Sequence, residues 1–223
     1  MFTVHHLTDS RSQRIVWLLE LIGVAYEIKA YGRDQKTHLT PESYKKLHPL
    51  AAAPVLEHNG FLLAESGAIC EYVIQQCAEE SSFLLPARDS KAYIDVQFWS
   101  HFAEGSFMPP LVASLVLSKV KTKVPWLIKG IASKITNGIM DAYYGKVIKR
   151  NFAYVEAHLS ANLWFVGDEI SLADIHMSYG LERIYNSGMI KDYPNMCAYV
   201  ERLNNESTYE QAKNKIKLAE SAL

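Results

Sequence analysis

Phe2-Thr3-Val4-His5-His6-Leu7, then Thr8-Asp9-Ser10-Arg11-Ser12, then the run Ile15-Val16-Trp17-Leu18-Leu19-Glu20-Leu21-Ile22 ending at Gly23, is the stretch that decides the fold. The first six residues read as a strand and the next five as a polar turn. The run to Ile22 is apolar nearly all round and stops at a glycine, which is the pattern of a buried helix. Tyr26 to Tyr31 alternates with period two and reads as a second strand. A strand, a helix and a strand in so short a span form a right-handed crossover, so the two strands are parallel. Further on, Asn59-Gly60 sits between Val55-Leu56-Glu57-His58 and Phe61-Leu62-Leu63, a strong type I′ hairpin signal. The hairpin must therefore add antiparallel strands to the same small sheet. From Ser66 onward, Ala68, Ile69, Tyr72, Val73 and Cys77 share one helical face. A polar stretch with a short helix near Pro41 to Lys46 precedes the hairpin.

One parallel unit plus one antiparallel hairpin, with helices on the faces, is the thioredoxin-like plan. After Glu79-Glu80-Ser81-Ser82 the grammar changes and no convincing alternation returns. Residues 1–79 are read as a thioredoxin-like domain, 80–89 as a linker anchored by Phe83-Leu84-Leu85-Pro86, and 90–223 as an all-helical domain. Tyr93, Val96, Gln97 and Trp99 begin a long helical stretch that Pro109-Pro110 is expected to kink or break. Further helices are expected near Ile135 to Leu159, Leu172 to Asn186, Asn195 to Asn204 and Glu210 to Leu223. Ser171-Leu172-Ala173-Asp174 is a capping box, a folding device with no catalytic role.

The bulk numbers exclude several classes. Of 223 residues, 49% are hydrophobic and 21% charged, so the chain can bury a sizeable core without disulfides or metal. The net charge of −1 and the scattered Lys and Arg give no nucleic-acid stripe. The N-terminus lacks the basic and apolar regions of a signal peptide, and the longest apolar run, around Leu111 to Leu117, is too short for a membrane span. A soluble cytoplasmic protein is the expectation. Cys70 and Cys77 lie two turns apart on one helix, roughly 10 Å at 1.5 Å per residue and too far to bridge. They and Cys197 are expected as reduced structural thiols. His5 and His6 point to opposite sides of a strand and cannot chelate together, and no cluster has metal-ligand spacing, so no metal is expected.

Four motifs in order carry a resemblance: Ser10-Arg11-Ser12-Gln13-Arg14-Ile15-Val16-Trp17-Leu18-Leu19-Glu20, His48-Pro49-Leu50-Ala51-Ala52-Ala53-Pro54-Val55-Leu56, Glu65-Ser66-Gly67-Ala68-Ile69 and Ser171-Leu172-Ala173-Asp174-Ile175. Together they resemble the cytosolic glutathione S-transferase superfamily, and bacterial and fungal members with a serine at the end of the first strand in particular. The resemblance covers essentially the whole chain. It implies a thioredoxin-like domain followed by an all-helical one, glutathione as cosubstrate, and a homodimer. Where the family often reads Gly-Lys-Val-Pro, this chain reads Ala51-Ala52-Ala53-Pro54, so the basic side chain often placed there is missing. His38 and Lys36 are the substitutes considered for holding the glycine carboxylate of glutathione.

The chemistry needed is modest. A thiol of pKa about 8.5 must favour its anion by roughly 1.4 to 2.7 kcal/mol to drop one to two units. A hydrogen bond to a charged group supplies about 1.5–3 kcal/mol, and a helix N-terminus adds about 0.3–1 kcal/mol. By residue type and place alone, Ser10 or Ser12 reads as a cap of the first helix. The resemblance implies Ser10 as the catalytic hydroxyl, because Ser10 and Arg14 keep the serine-to-arginine spacing of serine-using members. Ser12 is then the cap and Arg14 a structural partner. Pro54 cannot donate to a ladder, which leaves the backbone of Ala53 free to pair with an extended ligand. The resemblance implies a cis Ala53-Pro54 bond. Ser66, read as the N-cap of the third main helix, suits a carboxylate, and Glu65 suits an ammonium. The γ-glutamyl end of glutathione carries both. Ordinary capping explains Ser66 equally well and solvated surface explains Glu65, and only the pairing with Ala53-Pro54 favours a ligand. Phe107, Met108 and Leu111, near the prolines, are read either as a hydrophobic cosubstrate site or as core.

The reading is an enzyme that adds glutathione to a small, mostly apolar electrophile. Its rivals are a non-catalytic binding or assembly protein of the same fold, and a glutathione-dependent peroxidase or reductase. Reductase members usually carry cysteine where this chain has Ser10.

Overall fold

The computed structural model describes residues 1–223. Its first part is a four-stranded sheet made by β1 (Phe2–Leu7), β2 (Tyr26–Tyr31), β3 (Val55–His58) and β4 (Phe61–Ala64), in the order β2-β1-β3-β4. β1 and β2 are parallel, with Val4 beside Ile28, and the other pairs are antiparallel. The parallel pair follows from the crossover through α1 (Ser12–Ile22), and the antiparallel pair from the Asn59-Gly60 turn, where both residues take positive φ. The short α2 (Glu42–Lys45) and then α3 (Ser66–Gln76) complete the thioredoxin-like half. α1 buries Ile15 to Leu19 without a gap, as its all-round apolar pattern requires.

From α4 (Lys91–Phe102) onward the chain is helical: α5 (Met108–Lys123), α6 (Lys129–Ile139), α7 (Gly145–Leu159), α8 (Leu172–Asn186), α9 (Pro194–Asn204) and α10 (Ser207–Glu220). The segment 80–89 carries a short 3-10 turn, Ser82–Leu84, with Ser81 and Leu84 buried. One apolar cluster of 37 buried residues runs from Phe2 to Ala212 and so joins both halves. α1 lies at its centre, packed against α3, α8 and α10. Ser171 N–H donates to Asp174 Oδ2 at 2.9 Å at the start of α8. Asp174 also accepts from Phe165 N–H at 3.0 Å and Tyr199 O–H at 3.1 Å, so this cap ties three segments together.

Three expectations need correction. Of the kink or break expected at Pro109-Pro110, the break is absent: α4 passes into α5 through a π-helical turn, Ala103–Phe107, and the prolines occupy the first turn of α5. The extra residue of the π turn shifts the preceding carbonyls away from the proline rings. Secondly, Ser12 does not cap α1. Arg11 holds the N-cap position and makes no side-chain cap bond. Thirdly, Glu65, not Ser66, is the N-cap of α3, and Ser66 is its first helical residue.

Candidate functional site

Two adjoining cavities open where the loop before β3, the start of α3 and the π turn meet. The first, of about 250 Å³, is lined by Arg11, Ala52, Ala53, Pro54, Glu65, Ser66 and Glu104. The second, of about 230 Å³, shares Glu65, Ser66 and Glu104 and extends past Gly67 and Ala68 to Ser100, His101 and His176. Four residues singled out in the sequence, Ala53, Pro54, Glu65 and Ser66, thus border one space.

The Ala53-Pro54 bond is cis. The ladder between β1 and β3 ends at the His5–Val55 pair, and Ala53 lies just beyond it. β3 is an inner strand, so what is free here is the chain entering the strand and not a sheet edge. No hydrogen bond engages the Ala53 N–H or C=O, which leaves both for a ligand. Across the cavity, Glu65 sits at φ 73°, ψ 118°. A non-glycine residue at positive φ is strained, and such strain clusters at ligand clamps. The first helical bond of α3 runs from Ile69 N–H to Glu65 O at 2.9 Å. The N–H groups of Ser66, Gly67 and Ala68 are therefore unused, a ready anion site.

A buried cation holds this corner. Arg14 of α1 donates from Nη1 to Ser66 Oγ at 3.4 Å and to the Glu104 carboxylate. Arg11 approaches the other Glu104 oxygen at 3.1 Å. Burial pulls the Glu104 pKa upward, but Arg14 and Arg11 outweigh it and hold the group below its ordinary value. His176 is pushed down to about 4, by burial first and by the charge of Arg14 second, and stays neutral near pH 7. Burial raises the Cys70 thiol to about 12, which removes it as a nucleophile.

The other sequence candidates lie elsewhere. Ser10 is 8% exposed and lines neither cavity, although Arg11 beside it does. Its Oγ meets Ser12 Oγ at 2.6 Å and accepts the Ser12 N–H at 3.3 Å. His38, at φ 59°, is on an exposed turn outside both cavities. Arg33 ties that turn to the mouth of α1, donating to Thr8 O, Asp9 O and His38 O at 2.9, 2.9 and 3.3 Å. Phe107 and Met108 are buried and pack on α8 where Gly180 has no side chain; a Cβ there would stand 3.1 Å from the Phe107 ring and 3.0 Å from Met108 Sδ. Leu111 is half-buried against the same core. All three are in the position of core residues, and none lines either of the two cavities.

Sequence reasoning missed Arg11 and Glu104. Arg11 carried a signal, since a cation at the mouth of α1 beside a candidate serine is where an anionic thiolate or carboxylate would lie. Glu104 carried none, because only the π turn brings it to the cavity.

Comparison with known proteins gives the family. Residues 2–75 match the family model of the glutathione S-transferase N-terminal domain, and residues 145–207 that of the C-terminal domain. Glutathione S-transferase 1 of Saccharomyces cerevisiae is 34% identical over 222 residues, covering 95% of this chain and 94% of that one. A crystal structure of a glutathione S-transferase from Actinobacillus pleuropneumoniae superposes with a TM-score of 0.80 at 32% identity, covering 97% of this chain and 93% of that one. Elongation factor 1-gamma 2 of Oryza sativa is 23% identical over 207 residues, which is 91% of this chain but 46% of that protein. With two domain models in order and a full-length relative above 30% identity, the chain belongs to the glutathione S-transferase family.

Proposed function

We propose that this enzyme binds glutathione in the cavity between Ala53-Pro54 and Glu65-Ser66, promotes its thiolate with Ser10, and conjugates it to a small, mostly apolar electrophile. The observation that carries the reading is the pairing, across one cavity, of an unused Ala53 backbone with an unused α3 N-terminus. An extended tripeptide pairs its cysteinyl backbone with Ala53, as an added strand would. Its γ-glutamyl carboxylate lies on the N–H groups of Ser66 and Gly67, and its ammonium on Glu65. Arg11 lines the same cavity beside Ala52 and takes the glycine carboxylate, with His38 on the neighbouring turn as the second candidate. Phe107, Met108 and Leu111 then support the electrophile site from behind as packing.

The same reading includes a homodimer. Exposed Phe61 on β4 and exposed Ile94 and Phe98 on α4 support it, since they offer apolar surface on both halves of the chain. The division into residues 1–79, 80–89 and 90–223 and a cytoplasmic setting complete it.

A non-catalytic binding or assembly module is the second reading. It is favoured by the Ser10 hydroxyl, which turns to Ser12 rather than into the cavity, and by the likeness to an elongation factor subunit. Calorimetry with glutathione, followed by a panel of electrophiles, separates the two. Binding with turnover supports the enzyme; binding with no turnover on any electrophile supports the module; no heat at millimolar glutathione rejects both.

A further inference from the structure

From Ser10 an unbroken file of polar atoms runs to the last turn of α10. Ser10 Oγ meets Ser12 Oγ at 2.6 Å, Ser12 Oγ meets His6 Nδ1 at 2.7 Å, and His6 Nε2 meets Glu220 Oε1 at 2.9 Å. Ser12 is fully buried and His6 is 2% exposed, so water does not compete at the Ser12–His6 step, while the Glu220 side chain at the far end is 30% exposed. It joins β1, the mouth of α1 and the last turn of α10, with His6 and Glu220 214 residues apart in sequence. Capping does not account for it, since the Ser12 hydroxyl makes no cap bond. Neither does His5, which faces the other way onto Tyr31 and Glu57. Of the charged groups around the strand, Lys29 and Glu57 belong to the His5 side, and β2 sets the neutral Ala30 beside His6.

With the His6 ring neutral, the hydrogen bonds of the file run in one direction. The Glu220 carboxylate only accepts, so Nε2 of His6 carries a hydrogen. A neutral ring then has a lone pair at Nδ1, which accepts from Ser12 O–H. Ser12 in turn accepts from Ser10 O–H. Ser10 already accepts the Ser12 N–H, so one lone pair of its Oγ remains, and it can accept a thiol S–H.

We propose that Ser12, His6 and Glu220 form a proton relay that takes the glutathione thiol proton through Ser10 and stores it on His6. This rests on the reading of Ser10 given above. The step balances as follows. The S–H bond breaks and its electron pair stays on sulfur. The thiol proton joins Ser10 Oγ, the Ser10 proton passes to Ser12 Oγ, and the Ser12 proton passes to His6 Nδ1. His6 becomes an imidazolium held by the Glu220 carboxylate. The Ser10–Ser12 and Ser12–His6 bonds have reversed, the His6–Glu220 bond keeps its direction, and Ser10 now donates to the thiolate it has made. Ser10 is the catalytic residue; the other three are positioning residues that act through it.

The relay makes a prediction that hydroxyl stabilisation alone does not. Thiolate formed by simple ionisation releases roughly one proton per thiolate to solvent. Thiolate formed by the relay keeps that proton on His6. The experiment adds glutathione to the full-length protein at neutral pH in weak buffer, reading thiolate by ultraviolet absorbance and released protons by an indicator dye. The wild type should form thiolate with proton release well below stoichiometric. Glu220→Gln, at the far end of the file and clear of the cavity, should bring release up towards one proton per thiolate. It should also raise the thiol pKa by about one unit, equivalent to a roughly tenfold loss of kcat/KM below that pKa. Ser12→Ala should do the same, and Ser12→Thr, which keeps the hydroxyl, should restore the wild-type behaviour. Stoichiometric release by the wild type overturns the relay, as does silence of both variants while Ser10→Ala still abolishes the thiolate. A Ser10→Ala protein with unchanged thiolate overturns the reading of Ser10 and the relay together. Loss of glutathione binding itself in the wild type would instead reject the proposed function.

Discussion

Asn151 donates its side-chain amide to the carbonyl oxygen of Ser106 at 2.7 Å. The bond answers a deficit written into the sequence. Pro110 has no N–H, so the carbonyl four residues before it loses its helical donor. Asn151, buried on α7, supplies the replacement. The π turn and the Glu104 it carries are thereby fixed against the neighbouring helix.

Asn151→Ala should therefore destabilise the fold by about 1–3 kcal/mol, the cost of leaving a buried polar group unpaired. Urea unfolding measures this. Asn151→Leu should not rescue stability, because bulk is not what the site lacks.

The Arg14–Glu104 pair sets an acid limit. Glu104 titrates below its ordinary 4.5 because Arg14 and Arg11 outweigh its burial. A carboxylate whose folded pKa is depressed stabilises the fold above its unfolded pKa, and that contribution disappears as pH falls through the folded value. Stability measured in denaturant from pH 6 downward should thus fall below about pH 4.5. Glu104→Gln should flatten that limb while lowering stability at neutral pH, since Arg14 is then left buried with a weaker partner. An unchanged acid limb would show that other carboxylates set it.

What could be read from the sequence divides along physical lines. β1, α1 and the Asn59-Gly60 hairpin were legible because periodicity and turn chemistry are local. The Ser171–Asp174 box was legible for the same reason. The π turn was not, because two adjacent prolines in sequence say only that donors are missing, and the remedy comes from Asn151 on another helix. The role of Ser12 was misread because a serine at a helix mouth is locally a cap; its actual partner, His6, is on the strand before the turn. Ser66 gave the right place with the position off by one, as helix ends often do. Glu220 on His6 was beyond any local reading, since α10 must first fold back onto β1.

The apolar surface of Phe61, Ile94 and Phe98 predicts self-association. Light scattering at micromolar concentration should give about twice the 25.2 kDa of one chain. Charged substitutions at Phe61 and Phe98 together should bring the mass back to that of one chain without loss of helical circular dichroism. A monomeric wild type would reject the dimer.

Glu65→Ala should weaken glutathione binding more than it slows turnover at saturation. The side chain is proposed to hold the ammonium, far from the thiol, and its contact is the same in ground and transition states. Removing such uniform binding raises KM and spares kcat. A charge-assisted hydrogen bond of about 1.5–3 kcal/mol corresponds to roughly ten- to a hundredfold in affinity. Relief of the strained φ of 73° does not offset this, since alanine is no better suited to that conformation. Unchanged affinity would move the γ-glutamyl group elsewhere.

Ser10→Ala should show the opposite pattern. On the proposed reading its hydroxyl favours thiolate over thiol and does not hold the peptide, so calorimetry should find glutathione affinity nearly intact. The pKa of the bound thiol, followed by thiolate absorbance against pH, should rise. Loss of a bond of about 1.5–3 kcal/mol to the anion lowers the conjugation rate roughly ten- to a hundredfold where thiolate formation limits it. The rate deficit should shrink as pH rises, because solvent then removes the proton that Ser10 no longer takes. A deficit that stays constant to high pH would mean that Ser10 positions the peptide instead. No deficit at any pH would move thiol activation to another group at the mouth of α1, and Arg11, which lines the cavity, is the first to test.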